Sequence, residues 1–180
     1  MSAIVKDEAA RRWLESPLLV GVEDRCRLAV SRHLVGERVE PGFVLLRQGV
    51  PNGRLWFVVD GGVAIERERP HGKVDLLATM TGPALFGTTT FFRSSAPSMT
   101  IRSTSALTLW TLDHEGFEAL RRDDPRAAEA LALAVVRVLS ERFDMLDQKI
   151  GELMAEHAHD LPKATELAEF RSRLFDDPAF

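Results

Sequence analysis

The segment from about Val39 to Asp113 is a succession of short runs rich in β-branched and aromatic residues. The runs are RVEP, FVLLRQG, RLWFVVDGGVAIERE, KVDLLATM and MTIRSTSALTLWTLD, and the breaks between them include PG at 41–42, PNG at 51–53 and DGG at 60–62. Many short strands at regular spacing indicate a sandwich, a barrel or a jelly roll. The stretch VAIERERPHGKVDLLAT predicts a hairpin with its turn at 70–72, which leaves His71 in solvent.

Helical periodicity surrounds this strand-rich body. Residues 5–16 and the stretch GVEDRCRLAVSRHL predict two amphipathic helices, the second of them ended by Gly36. After the strands, DHEGFEALRRDDP predicts a short helix, and a long helix follows from Arg126 to His159. The predicted class is α+β, with N-terminal helices at 1–38, the strand-rich body at 39–113, the short and long helices at 114–160, and a C-terminal amphipathic segment at 161–180.

The long helix carries an apolar seam. Its members recur at steps of three and four residues: Val136, Leu139, Phe143, Leu146, Ile150 and Leu153. This heptad spacing is typical of a contact between two helices. One interpretation is a helix that covers one side of the strand-rich body, but a stripe that continues to Leu153 outruns a body of this size. The sequence therefore predicts a homodimer through these six residues, with the inner end of the helix packed on the core.

Composition and charge narrow the classes of function. The net charge is −4 and the pI is about 5.8, whereas dedicated nucleic-acid binders are usually basic. Cys26 is the one cysteine, which excludes an internal disulfide and favours a reducing compartment. The N-terminus lacks the apolar core of a signal peptide, and no uncharged apolar run reaches the ~18 residues of a membrane span. We expect a cytoplasmic protein with no membrane partner.

Several segments, taken in order, resemble the cyclic nucleotide-binding domain family, which includes the bacterial catabolite activators and the regulatory subunits of cAMP-dependent kinase. PGFVLLRQGVPNGRLWFVVDGGVAI resembles its strand-turn-strand signature, and LLATMTGPALFG resembles the approach to its phosphate-binding cassette. TIRSTSALTLWTLDHEGFEAL resembles the strands and helix that follow, and RFDMLDQKIGEL resembles the long dimerising helix of the catabolite activators. The resemblance runs from about Trp13 to Leu153. It implies a jelly-roll-like antiparallel β-roll flanked by N-terminal helices and a long C-terminal dimerisation helix.

The cassette departs from the family's pattern, which reads roughly Phe-Gly-Glu-x-Ala-Leu, a short loop, and Arg-x-Ala. Phe86 and Gly87 match it. Thr88 stands where the family's glutamate accepts a ribose hydroxyl, Thr90 replaces the alanine, and Pro97 stands where the arginine pairs with the cyclic phosphate. Hydrogen bonds to a charged group contribute about 1.5–3 kcal/mol each. Losing both partners therefore costs roughly 4 kcal/mol, about a thousandfold in affinity, and ordinary cAMP binding is predicted to be lost.

A remodelled ligand site is the alternative. Backbone N–H groups after Gly87 and the run of hydroxyls favour an anion, and Arg93 or Arg102 could supply charge from a new direction. On the long helix, Leu146 and Asp147 stand where the catabolite activators contact the base. If a ligand site is retained, its residues are Phe86, Gly87, Thr88, Thr89, Thr90, Arg93, Pro97, Ser98, Leu146 and Asp147.

A structural role for the same segment is favoured over a rebuilt anion site. In that interpretation the threonines cap a short helical turn and satisfy the local backbone. Phe91 and Phe92 are then expected in the core and not in a base-stacking platform. A metal site is not expected, because His71 is the one histidine of five near a predicted strand. A jelly-roll metal enzyme is a remote alternative, and haem ligation by His71 or His114 has no supporting pattern.

Two functions remain open on these residues. The favoured one is a stand-alone, homodimeric regulatory or interaction module, not an enzyme, that acts on a protein partner through the long helix and segment 161–180. The other is a receptor for a cyclic nucleotide, a cyclic dinucleotide or another anion. Transcriptional members of the family carry a helix-turn-helix domain after the long helix, and the 21 residues after His159 are too few for one. No DNA contact through this chain alone is expected.

Overall fold

The computed structural model describes residues 15–93 and 95–156 and the isolated positions 165, 166 and 169. A short 3₁₀ helix spans Pro17–Leu19. The helices are α1 Asp24–Ser31, α2 Thr88–Phe91, α3 His114–Asp123 and α4 Pro125–Glu156. The strands are β1 Val35–Val39, β2 Val44–Leu46, β3 Arg54–Asp60, β4 Gly62–Glu68, β5 Val74–Thr81, β6 Ala84–Phe86, β7 Thr100–Ser103 and β8 Leu107–Asp113.

The eight strands form two antiparallel sheets of four, in the orders β1-β8-β3-β6 and β2-β7-β4-β5. Alternate side chains point between them, because successive residues of a strand face opposite sides. The enclosed core consists of Val39, Leu45, Leu46, Trp56, Val58, Val63, Ala84, Phe86, Ile101, Leu107 and Leu109, with Ile65 packed against it. The α+β prediction of a β-roll with flanking helices is confirmed.

The predicted hairpin is also confirmed. β4 pairs with β5 along its whole length, and the turn between them contains His71 at a φ of 75° and Gly72 at a φ of 76°. The register shifts once, between Ile65 and Glu66. β5 forms one edge of its sheet, and apart from Asp75 its residues are exposed.

The prediction that Gly36 stops the second helix is wrong. α1 ends at Ser31, and β1 begins at Val35, before the predicted boundary at residue 38. Gly36 is inside β1, where an added Cβ would lie 2.7 Å from Cζ3 of Trp110. Position 36 needs a glycine because the indole of Trp110 fills the space that a Cβ would occupy. Trp110 is distant in sequence, so the residues around Gly36 give no sign of this contact. The predicted helix at 5–16 falls almost entirely outside the described residues, as do His157 and His159.

Outside the roll, the first helices and the first half of α4 bury a second set of apolar side chains. These include Leu19, Cys26, Val30, Leu120, Leu131 and Val135. α3 follows β8 directly, and Asp113 caps it by accepting a hydrogen bond from the backbone N–H of Gly116 at 2.9 Å. Among the described residues, no helix is long and apolar enough to cross a membrane.

Residues Arg137–Phe180 form a separate compact unit, of which the second half of α4 is described. Within it, Lys149 and Glu152 form an exposed ion pair of 2.9 Å. The hydrogen bond between them and the charge of Glu152 raise the pKa of Lys149. The same hydrogen bond and the charge of Lys149 lower the pKa of Glu152. The long helix predicted from Arg126 to His159 is observed as Pro125–Glu156. Segment 161–180 lies outside the described residues except for positions 165, 166 and 169.

Candidate functional site

The cassette lies at the end of β6, where the chain leaves the roll and turns into α2. Ala84, Leu85 and Phe86 are all buried, and Phe86 belongs to the core. Gly87 follows in the left-handed conformation at a φ of 84°, and the four residues of α2 begin directly after it. A Cβ at Gly87 would lie 2.3 Å from the carbonyl oxygen of Arg54, so both the φ and the close approach require glycine.

The threonine run is divided between the interior and the surface. Thr88 is 3% exposed and Thr90 is 2% exposed, whereas Thr89 is exposed. The hydroxyl of Thr90 donates to the carbonyl oxygen of Gly87 at 3.2 Å. Backbone N–H groups of Thr90 and Phe91 donate to the same oxygen, at 3.2 and 2.8 Å. This geometry favours the structural interpretation of the run, since a threonine hydroxyl satisfies the backbone of its own helical turn.

Asn52 is a residue of this site that the sequence analysis missed. Its Nδ2 donates to the carbonyl oxygen of Arg54 at 2.6 Å and to Oγ1 of Thr90 at 3.0 Å. Its Oδ1 accepts from Nε1 of Trp56 at 3.1 Å and from the backbone N–H of Arg54 at 3.3 Å. The PNG motif correctly predicts a break between two strands, and the side chain of Asn52 in this loop also reaches across to α2.

The far end of the cassette loop is hydrogen-bonded to the same loop between β2 and β3. Pro97, at the position of the family's arginine, is buried, and its carbonyl oxygen accepts a hydrogen bond from the backbone N–H of Gly49 at 2.9 Å. Ser98 and Arg93 are exposed. Thr88 and Pro97 are thus both buried and uncharged at the two positions where the resemblance implies charged groups.

The expectation that Arg102 supplies charge to the cassette is wrong. Ile101 and Ser103 are buried on β7, and strand alternation places Arg102 on the opposite, outer face of the sheet. Its Nε lies 3.2 Å from a carboxylate oxygen of Glu66, and its guanidinium donates to the carbonyl oxygen of Gly42 at 3.3 Å. The guanidinium is therefore occupied on the outside of the roll.

Residues 36–124 match the sequence profile of the cyclic nucleotide-binding domain. This part of the chain belongs to the cyclic nucleotide-binding domain family. A CRP-like cAMP-activated global transcriptional regulator from Mycobacterium tuberculosis is 24% identical over 134 residues, which cover 74% of this chain. The match spans 58% of the length of that relative.

Solved structures of the domain have the same fold. The catabolite activator protein of Thermus thermophilus is 27% identical, with a TM-score of 0.59 over 84% of this chain and 71% of its own. A cyclic nucleotide-binding domain from Methylobacillus flagellatus is 15% identical, with a TM-score of 0.68 over 87% of this chain and 85% of its own. The recognition of the family from its motifs is therefore confirmed.

An aromatic cluster flanks the cassette of the domain. Phe91 is fully buried, stacks on the ring of His114 at 4.4 Å and meets Phe117 edge-on at 5.7 Å. Phe92 is 47% exposed and touches the edges of Phe91 and Phe117. The core interpretation of Phe91 is correct and that of Phe92 is wrong, because consecutive helical residues point about 100° apart and only one of them faces inward.

The remaining predicted residues lie on α4. Leu146 is exposed and Asp147 is half-buried, and both belong to the second compact unit. Of the predicted seam, Val136, Phe143 and Leu146 are exposed, whereas Leu139 and Leu153 are half-buried. Ile150 is 5% exposed in the single chain, which sets it apart from the exposed members. The ligand contacts and the dimer contacts of these residues stay predictions.

Proposed function

We propose that this chain is a regulatory module of the cyclic nucleotide-binding domain family that has lost ordinary cAMP binding and acts on a protein partner. The observation that carries the proposal is the chemistry of the two buried cassette positions. Thr88 has no carboxylate to accept a ribose hydroxyl, and Pro97 has no guanidinium to pair with a phosphate. By the magnitudes of charged hydrogen bonds, replacing both groups weakens binding by about a thousandfold.

Calorimetry of the purified chain against cAMP, cGMP and a panel of cyclic dinucleotides tests the proposal. We expect no heat of binding at millimolar ligand. Micromolar binding of cAMP or cGMP would overturn the proposal. The same titrations test the second candidate function below, because a cyclic dinucleotide that binds while cAMP does not would indicate a remodelled receptor.

A gain-of-function variant tests the register on which the proposal depends. Thr88→Glu with Pro97→Arg restores both charged groups, so we expect cAMP affinity to rise. Thr89→Glu with Pro97→Arg is the matched control, because Thr89 is the exposed neighbour and its carboxylate would lie on the surface. Thermal unfolding checks that the variants fold. Equal affinity of the two folded double variants would contradict the assignment of Thr88.

A receptor for a cyclic nucleotide, a cyclic dinucleotide or another anion is the second candidate. It is favoured by the retained Phe86-Gly87 turn and by the polar side chains that the same segment exposes. Thr89 and Ser98 expose hydroxyls, and Arg93 exposes a cation. A ligand of this kind would regulate the module only by binding two conformations with unequal affinity.

Homodimerisation through α4 is part of the proposal. The supporting observation is that Val136, Phe143 and Leu146 are exposed at heptad spacing. Light scattering of Phe143→Asp is expected to give the mass of a monomer, because a carboxylate in an apolar seam remains unpaired. Met145→Asp is the control, since Met145 is exposed beside the seam. An unchanged dimer in Phe143→Asp would refute the seam.

We propose that α4 and segment 161–180 contact the regulated protein, that this chain alone does not bind DNA, and that it has no catalytic activity. The net charge of −4 supports the second of these points. Cys26 is a free, buried thiol, which agrees with a cytoplasmic location.

A further inference from the structure

The amide of Asn52 uses its whole hydrogen-bonding capacity. An asparagine amide offers two N–H donors and an oxygen with two lone pairs. Nδ2 donates to the carbonyl oxygen of Arg54 and to Oγ1 of Thr90, and Oδ1 accepts from Nε1 of Trp56 and the backbone N–H of Arg54. The indole and the backbone N–H can only donate, and the carbonyl can only accept. The orientation of the amide is therefore fixed by its partners.

The hydrogen bonds form a directed chain from β3 to the cassette. The indole N–H of Trp56 donates to Asn52, the amide of Asn52 donates to Thr90, and the hydroxyl of Thr90 donates to the carbonyl oxygen of Gly87. Trp56 is 6% exposed and Thr90 is 2% exposed, so the side chains on both sides of Asn52 in this series are shielded from water. Hydrogen bonds in such a series polarise and strengthen one another.

The cassette turn also packs directly against this amide. A Cβ at Gly87 would lie 2.9 Å from Nδ2 of Asn52, in addition to its approach to Arg54. Thr90 stands where the resemblance implies alanine, and an alanine there has no hydroxyl to accept from the amide. The hydrogen bond between Thr90 of α2 and Asn52 of the loop at 51–53 therefore depends on a residue that departs from the family's pattern.

We propose that Asn52 is a positioning residue that holds α2 against β3 in a single conformation without a bound ligand. The Asn52 network ties the cassette turn to β3 through hydrogen bonds of the chain itself; it consists of Asn52, Arg54, Trp56, Gly87 and Thr90. The inference deepens and rests on the proposed function, since a module that acts without ordinary cAMP binding needs a cassette whose shape does not depend on a ligand.

Hydrogen exchange of the full chain tests the Asn52 network. Thr90→Val keeps the shape of the side chain and removes the hydroxyl. We expect the amides of α2 to exchange about tenfold faster in this variant, with the exchange of β3 and β8 unchanged. Thr90→Ser keeps the hydroxyl and is expected to retain slow exchange. Thr89→Val makes the same change at the exposed neighbour and is expected to have no effect.

A double-mutant cycle separates positioning from general stability. If Asn52 and Thr90 hold α2 through one shared contact, the second substitution has nothing further to remove. We therefore expect the α2 amides to exchange no faster in the double variant Asn52→Ala with Thr90→Val than in Thr90→Val alone. If the acceleration in the double variant equals the product of the accelerations in the two single variants, the two residues act independently and the Asn52 network is refuted. Equal acceleration at all amides would also overturn it, because the contact would then belong to global stability. Calorimetric binding of cAMP to the wild-type chain would refute the proposed function and leave these exchange results standing, so the two failures are distinguishable.

Discussion

Replacing Gly87 by alanine is expected to destabilise the chain far more than the same change at another left-handed glycine. Gly42 is the matched reference, because its φ is 91° against 84° for Gly87 and a Cβ there would meet nothing within 4 Å. The left-handed conformation costs an alanine about 1–2 kcal/mol at either position. The difference between the two variants therefore reports the surroundings of the added methyl group.

Those surroundings are unfavourable at Gly87. The added Cβ would lie 2.3 Å from the carbonyl oxygen of Arg54 and 2.9 Å from Nδ2 of Asn52. The first is backbone of a central strand, so the cassette turn has to move away from it. Overpacking of this kind costs about 1–3 kcal/mol, and displacing the amide of Asn52 costs about another 1 kcal/mol. We expect a loss of about 3–6 kcal/mol for Gly87→Ala against about 1–2 kcal/mol for Gly42→Ala.

Equilibrium unfolding in urea, followed by tryptophan fluorescence, measures both losses. Trp56 and Trp110 lie on adjacent strands of the roll and report its unfolding. The comparison is valid if the two variants keep the denaturant dependence of the wild-type chain. Equal losses in Gly87→Ala and Gly42→Ala would refute the reasoning, because the close approach to Arg54 would then impose no constraint.

Three further predictions concern other sites. Among the described residues, Nε1 of Trp110 is the one buried side-chain nitrogen or oxygen without a hydrogen-bond partner. In urea unfolding, Trp110→Phe should therefore destabilise less than Trp56→Phe, which removes a hydrogen-bonded indole. Gly36→Ala should cost about 1–3 kcal/mol in the same assay, because its Cβ would lie 2.7 Å from the Trp110 ring; a stabilised variant would contradict this. The hydrogen bond and the charge of Lys149 lower the pKa of Glu152 in the folded chain. The ion pair therefore stabilises the fold above the ordinary pKa of glutamate, and this stabilisation is lost as the pH falls through the pKa of Glu152 in the folded chain. An NMR titration of Lys149→Met should show a higher pKa for Glu152 than in the wild-type chain.

Local patterns were sufficient to predict a body of short antiparallel strands, and the resemblance to the family implied that it is a β-roll. Strand alternation and turn residues act within a few positions, so the hairpin around His71 and the boundaries of most strands follow from neighbouring residues. The prediction that Gly36 ends a helix was wrong because the role of this glycine is not local. Its role depends on Trp110, which strand pairing brings next to it and which no local window contains.

The cassette was located from sequence, but its internal chemistry was not. Phe86 and Gly87 identify the segment because Phe86 fills the core and the turn requires the left-handed conformation of Gly87. Asn52 was missed because its partner Thr90 lies 38 positions away and an asparagine before glycine already has a sufficient explanation as a turn residue. Arg102 was considered as a source of charge for the cassette, but it directly follows the buried Ile101 in a strand, and this alternation indicates the outer side of the sheet.

Both ends of the cassette loop are fastened to the turn between β2 and β3, at one end through Asn52 and at the other through the hydrogen bond between Gly49 and Pro97. The second of these bonds uses backbone atoms only, so it survives a change of side chain, whereas the first depends on the side chains of Asn52 and Thr90. The attachment of the loop therefore requires a particular side chain at Thr90 and only a backbone carbonyl at Pro97. A substitution at Pro97 that keeps the backbone path can change the chemistry of the loop without detaching it, whereas a substitution at Thr90 changes the chemistry and the attachment together.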